Sequence, residues 1–219
     1  MLESSTAQID FQRLKQTEKL DEAWSFFMGH GLLRDALDRL VFDLKQNEID
    51  YAVIGAIALN LHGYTRATVA IDVLLTGHGL SVFREKLVGL GYRPTFEGAK
   101  KSFRTTQENL TIEIIIAGEY PGDGLPKSVE FPDPKDIAVE IEGVKTLNLP
   151  KLIELKLASG ISGAARLKDL ADVQELIKLK DLEREFFEQL DPFVRTKFIE
   201  LHDAVMKERE QERNREVER

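Results

Sequence analysis

Asp72 stands between Ile71 and Val73 inside the stretch "RATVAIDVLLTG", where an unpaired carboxylate is costly. Side chains on a strand alternate faces, so its same-face neighbours are Ala70 and Leu74, both apolar. Glu113 repeats the oddity in "LTIEIIIAG", where Leu110, Ile112, Ile114 and Ile116 share one face while Thr111, Glu113 and Ile115 share the other. A single wet sheet face would account for Glu113 alone. Two strand carboxylates set among apolar residues fit a divalent-metal site better, and hard oxygen ligands suit Mg²⁺ (or Mn²⁺), which keeps several waters and binds phosphates.

Two helical stretches carry further misplaced charges. In "PKLIELKLAS", a 100° projection puts Leu149, Leu152, Ile153, Leu155 and Leu157 on the buried stripe and Lys151 and Glu154 opposite it. Lys156 falls near the middle of that stripe, so it pairs with an acid or a phosphate there, or snorkels to water. In "ARLKDLADVQELIK" the projection buries Leu167, Leu170, Val173 and Ile177 and leaves Lys168, Asp172 and Glu175 facing solvent. Asp169 lies at the margin and is a candidate for the site, whereas Asp172 reads as a surface charge. Gly55 and Ala56 join a strand to a helix, and small residues at that position let phosphate oxygens approach backbone N–H groups. A tight turn needs small residues too. Arg66 either meets the same phosphates or faces water.

The elements that hold these residues read as α+β. Residues 8–29 form an amphipathic helical lead-in ending in Trp24, Phe26, Phe27 and Met28, and "LLRDALDRLVFDLKQNEID" continues as a helix with Leu33, Leu37, Leu40 and Leu44 in phase. "YAVIG" is a short strand, "AIALNLHG" a short helix stopped by Gly63, and "GLSVFREKLVGLG" a helix after the Asp72 strand. "SFRTT", "LTIEIIIAG" and "IAVEIEGV" are the remaining strands, the last following the Pro- and Gly-rich loop "GEYPGDGLPKSVEFPDP". From Pro150 onward the chain is helical. The expected organisation is a helical lead-in over 1–48, an α/β core over 49–148 and a helical region over 149–219. Hydrophobic residues make up 42%, enough for a real core, and the net charge of -8 disfavours broad non-specific nucleic-acid binding while leaving room for a local basic pocket. With no cysteine, no signal-peptide layout and no membrane-length apolar run, a cytoplasmic protein without membrane partners is expected.

"YAVIGAIALNLHGYTRATVAIDVLL", together with "LIELKLASG" and "RLKDLADVQELI", resembles the nucleotidyltransferase superfamily, in particular its bacterial AbiEii-like branch of abortive-infection and toxin enzymes. In that pattern a strand ends in a Gly-Gly or Gly-Ser pair, the next strand carries Asp-x-Asp, and a later strand supplies a third carboxylate. The resemblance implies a small mixed sheet flanked by helices, and transfer of a nucleoside monophosphate from an NTP to an RNA, protein or small-molecule hydroxyl. By position it implies Gly55 and Ala56 at the phosphate turn, Asp72 as the second aspartate of Asp-x-Asp, and Glu113 as the third carboxylate. Lys156 would contact the triphosphate, and Asp169 would be the acid of a Lys-Asp pair. Toxin relatives also imply an antitoxin-type partner. Ala70 departs from the pattern by standing where the first aspartate belongs. A two-ion site loses a ligand with it, which leaves three explanations: a degenerate enzyme that still binds nucleotide, an engineered inactivating substitution, or another acid standing in. The alternative to the enzyme is a non-catalytic nucleotide-binding or regulatory module keeping the fold.

Overall fold

Seven strands in the order β3-β4-β5-β2-β1-β7-β6 form one mixed sheet with helices on both faces. The computed structural model describes residues 31–217, so the lead-in expected over 8–29 lies outside the described residues. The elements are α1 (Leu32–Gln46), β1 (Tyr51–Ile54), α2 (Gly55–Leu61), β2 (Ala70–Leu75), α3 (Gly77–Lys86), β3 (Tyr92–Pro94), β4 (Ser102–Thr105), β5 (Thr111–Ile116), α4 (Pro134–Ile137), β6 (Ala138–Ile141), β7 (Val144–Leu147), α5 (Leu149–Ile161), α6 (Leu167–Lys180) and α7 (Pro192–Val217). The class is α+β, as the sequence implied. No helix among the described residues is long and apolar enough to cross a membrane.

Alternation along the central strands sorts their side chains into two cores. Tyr51, Val53, Ile71, Val73, Leu75, Ile112 and Ile114 face one way and pack against the apolar stripe of α1 (Leu37, Leu40, Leu44) and Phe83 of α3. The Phe83 ring meets Tyr92 and Phe103 at centroid distances of 5.2 and 5.0 Å, which ties the β3–β4 end of the sheet to that layer. Ala52, Ile54, Leu74 and Leu147 face the other way, under α5, α6 and α7. The C-terminal helices therefore complete a core that the sheet begins. Gly160 lets α5 and α6 approach closely, because a Cβ there would overlap the Leu170 side chain.

Two strand expectations change. "IAVEIEGV" is not one strand but the hairpin β6–β7 with its partner, turning at Glu142 (φ 51°) and Gly143 (φ 79°). Positive φ at both turn residues is the two-residue geometry whose twist matches the strands it joins. The short β3 was not anticipated; it pairs antiparallel with β4 through Tyr92–Pro94. The Pro- and Gly-rich loop after β5 is closed at its base by Gly118 N–H to Phe131 O (2.7 Å) and Phe131 N–H to Glu119 O (2.8 Å). Lys127 knits its tip by donating to the carbonyls of Pro121 (2.9 Å) and Leu125 (2.8 Å) and to Asp123 Oδ1 (2.6 Å).

Candidate functional site

The strand register builds the acidic end of the site. Ile54 of β1 lies opposite Asp72 of β2, Asp72 opposite Glu113 of β5, and Glu113 opposite Ser102 of β4. Residues paired in this way point to the same sheet face, so the two carboxylates are neighbours across parallel strands spaced about 4.8 Å apart. Ser102 Oγ donates to Glu113 Oε1 at 2.7 Å. Burial pushes the Asp72 carboxyl up to about 6, and the Glu113 charge adds to that rise against the pull of Lys156, Lys168 and Arg66. Gly55 explains how Asp72 fits. It takes φ +67°, and a Cβ there would overlap the Asp72 carboxylate.

Asp72 forms part of the wall of a cleft of about 540 Å³ between the sheet, the loop at Pro121–Gly122 and helices α5 and α6. Gly55, Ala56, Arg66, Lys156 and Asp169 line the same cleft, so the structure gathers most of the residues that the sequence singled out. Glu113 and Ala70 are not among its lining; they sit on the same sheet face beside it. Arg166 and Lys168 also line it, and Ile54, Ile115, Phe131 and Leu155 provide an apolar wall. α2 has only seven residues, and its start makes no side-chain cap.

Lys156 is the hub of a buried ion network. It is 8% exposed, and its Nζ donates to Asp169 Oδ1 (3.0 Å) and to Asp172 Oδ2 (2.7 Å). Ser159 Oγ donates to Asp169 Oδ2 (2.7 Å), and Arg66 donates to Asp172 Oδ2. Burial pushes the Asp169 carboxyl up, but the Lys156 charge with the hydrogen bonds from Ser159 and Lys156 outweighs it and holds the group below the usual carboxylate range. Two cations and two anions balance, which is what makes so many buried charges tolerable.

Asp172 is a correction. The sequence projection left it facing solvent, yet it is 3% exposed, because the loop carrying Arg66 covers that side of α6 and supplies a cation to it. Glu154 is a second correction: it is buried, accepts from the backbone N–H of Asp191 at 2.7 Å and pairs with Lys151. Leu167 is the reverse case, 62% exposed at the first turn of α6. The spacing Asp169-x-x-Asp172 brings both carboxylates near one helix face, but nothing in that period shows that the Arg66 loop covers it.

Solved nucleotidyltransferases are among the chains this one is similar to. The antibiotic-resistance factor ANT(2'')-Ia in solution shares 13% identity with a TM-score of 0.46, over 80% of this chain and 96% of that one. The same factor in complex with adenylyl-2''-tobramycin shares 12% with a TM-score of 0.47, over 81% and 99%. An antigenic nucleotidyltransferase-like protein from Paracoccidioides brasiliensis shares 16% with a TM-score of 0.44, over 66% and 75%. No family model matches the chain, and no curated protein does. The case for function therefore rests on the cleft itself.

Proposed function

We propose that the cleft beside Asp72 is a nucleotide site of nucleotidyltransferase type, moving a nucleoside monophosphate from an NTP to a hydroxyl of an RNA, a protein or a small molecule. The observation that carries this reading is a carboxylate, Asp72, on a cleft wall shared with Arg166 and Lys168, two cations outside the balanced network of Lys156, Arg66, Asp169 and Asp172. Cations so placed suit phosphate oxygens, and the apolar wall beside them suits a base.

The donor set fits one divalent cation rather than two. Asp72 and Glu113 are adjacent hard-oxygen donors; burial first and the Glu113 charge second raise the Asp72 carboxyl, and a cation between them would offset both. Among the described residues no three acidic or histidine groups converge as a metal cluster, and Ala70 removes the acid that a second ion would need. Mg²⁺ or Mn²⁺ held by Asp72 and Glu113 would supply charge stabilisation at the phosphate under attack. The chain's own contribution is positioning. Arg166 and Lys168 would hold phosphate oxygens, the Lys156 network would keep the α5–α6 wall rigid, and Gly55 leaves Asp72 room at the cleft.

A second reading, a binding module without transfer, is favoured by Ala70. Calorimetry with ATP, GTP, CTP and UTP, with and without Mg²⁺, separates the readings when paired with a pyrophosphate-release assay. Binding with release upon addition of an acceptor supports the enzyme, binding without release supports the module, and no binding of any NTP sinks both.

A further inference from the structure

The sheet face that carries Asp72 and Glu113 continues across β4 and β3, where none of the helices of the described residues packs a core onto it. No residue of those two strands belongs to the core under α5–α7. On this stretch Arg93 of β3 lies directly opposite Arg104 of β4, Arg104 opposite Thr111 of β5, and Thr111 opposite Ala70 of β2. Two like charges opposite one another on a sheet destabilise it. Nothing here offsets them: Arg93 donates to Asn109 Oδ1 (3.0 Å) and Arg104 to Asn109 O (3.1 Å), and no carboxylate among the described residues pairs with either. Charge on an edge strand guards against strand-to-strand aggregation, which accounts for Arg93. It does not account for Arg104, because β4 lies inside the sheet.

We propose that the Arg93–Arg104 row is a phosphate-binding subsite for the acceptor, an inference that rests on the nucleotidyltransferase reading of the neighbouring cleft. The row lies two residues along each strand from the Ser102–Glu113–Asp72 row, a distance of about 7 Å. A phosphate held there would present an adjoining hydroxyl on the same face as the acid pair. Each guanidinium has five N–H donors and spends one on Asn109. A carboxylate fills one such fork, whereas the oxygens of a phosphate can accept from both. On a chain of net charge -8, two adjacent cations without acidic partners among the described residues are a local exception that broad electrostatics does not explain.

The phosphate comes from an RNA strand or from a small phosphorylated acceptor, and one experiment separates them. Anisotropy of a labelled single-stranded RNA with a free 3′ hydroxyl is measured on the wild type and on Arg93→Gln/Arg104→Gln, across a salt series, with calorimetry for ATP and for a sugar phosphate. For a strand, the double variant should bind RNA at least about tenfold more weakly, with a salt slope reduced by about 1.4 for two lost phosphate contacts. For a small acceptor, sugar-phosphate binding is lost instead. ATP affinity stays within about twofold in either case, and a thermal melt confirms that both proteins are folded. The proposal fails if the wild type binds neither RNA nor sugar phosphate, if the variant loses neither, or if ATP affinity falls by the same factor. Arginine-dependent RNA binding without any ATP binding would overturn the nucleotide reading and leave the phosphate site standing.

Discussion

Asp72 is held partly protonated near neutrality by its surroundings, and that has a measurable sign. Its folded carboxyl titrates at about 6, above the ordinary 3.8, so the folded protein binds the extra proton more tightly than the unfolded chain. The stabilisation from that proton is complete below about pH 4 and is lost as pH rises through 6. At pH 7.5 the ionised group then costs up to about 3 kcal/mol, as two pKa units imply. Asp72→Asn should raise the denaturation midpoint at pH 7.5 and remove most of the slope between pH 4 and 6, read from urea melts without divalent ions. An unchanged slope would show that Asp72 is well solvated. Ala70 supports a complementary prediction. It shares the Asp72 face, so Ala70→Asp adds a third carboxylate to the same end of the sheet. That variant should be less stable without Mg²⁺, bind NTP more tightly with it, and raise transfer of labelled nucleotide into total RNA or into the protein itself. If affinity and transfer both stay level, Ala70 is not what limits the site.

Helix α5 is pinned to α6 and to the Arg66 loop through one amine. Removing it leaves Asp169 with only the Ser159 hydroxyl and Asp172 with only Arg66, and breaking a buried pair from one side typically costs about 3–5 kcal/mol. Lys156→Ala should therefore lower stability by about that much, although no large cavity opens. Lys156→Ala combined with Asp169→Asn and Asp172→Asn should recover a good part of the loss. Guanidinium melts of the single and triple variants decide it; a loss below about 1 kcal/mol would mean that water reaches the carboxylates. The network also shows how far helix periodicity carries. Lys156 was visible in the sequence because it breaks the stripe of its own helix. Asp172 was not, because its burial comes from Arg66, 106 residues away, across a loop whose path no period encodes. Glu154 escaped for the same reason, being buried by the chain entering α7 at Asp191. The β6–β7 turn was only partly in reach: Glu142-Gly143 separates two β-prone runs by two residues, but Glu-Gly is not among the usual hairpin pairs. Three-residue β3 was not: so short a strand exists only through its pairing with β4.

At the scale of the molecule, the sheet separates the core under α1 and α3 from the core under α5–α7, and the candidate cleft lies on the second side. The apolar residues around Asp72 and Glu113 marked β2 and β5 as buried strands, while the mixed sheet with flanking helices was implied by the family resemblance and not by any period. Strand order follows from no period either, because β5 joins β2 and β7 joins β1 across long stretches of intervening chain. The cleft lies on the sheet face that α5–α7 cover: its walls come from the β1–β2 end, the Pro121–Gly122 loop, and α5 with α6. A nucleotide bound there would tie together three segments that otherwise meet across the cleft, while leaving α1 and α3 untouched behind the sheet. At a ligand concentration of 100 times Kd the whole fold should gain about 2.7 kcal/mol. Beyond that uniform gain, amide exchange should slow further in α5, α6 and residues 118–131, the segments that line the cleft. Exchange with and without Mg²⁺-ATP at one pH tests this, with α1 as the internal reference. Added protection centred on α1 and α3 would place the nucleotide on the far side of the sheet. Protection spread evenly would mean that the cleft walls do not move apart in the free protein, and binding would then report only the global equilibrium.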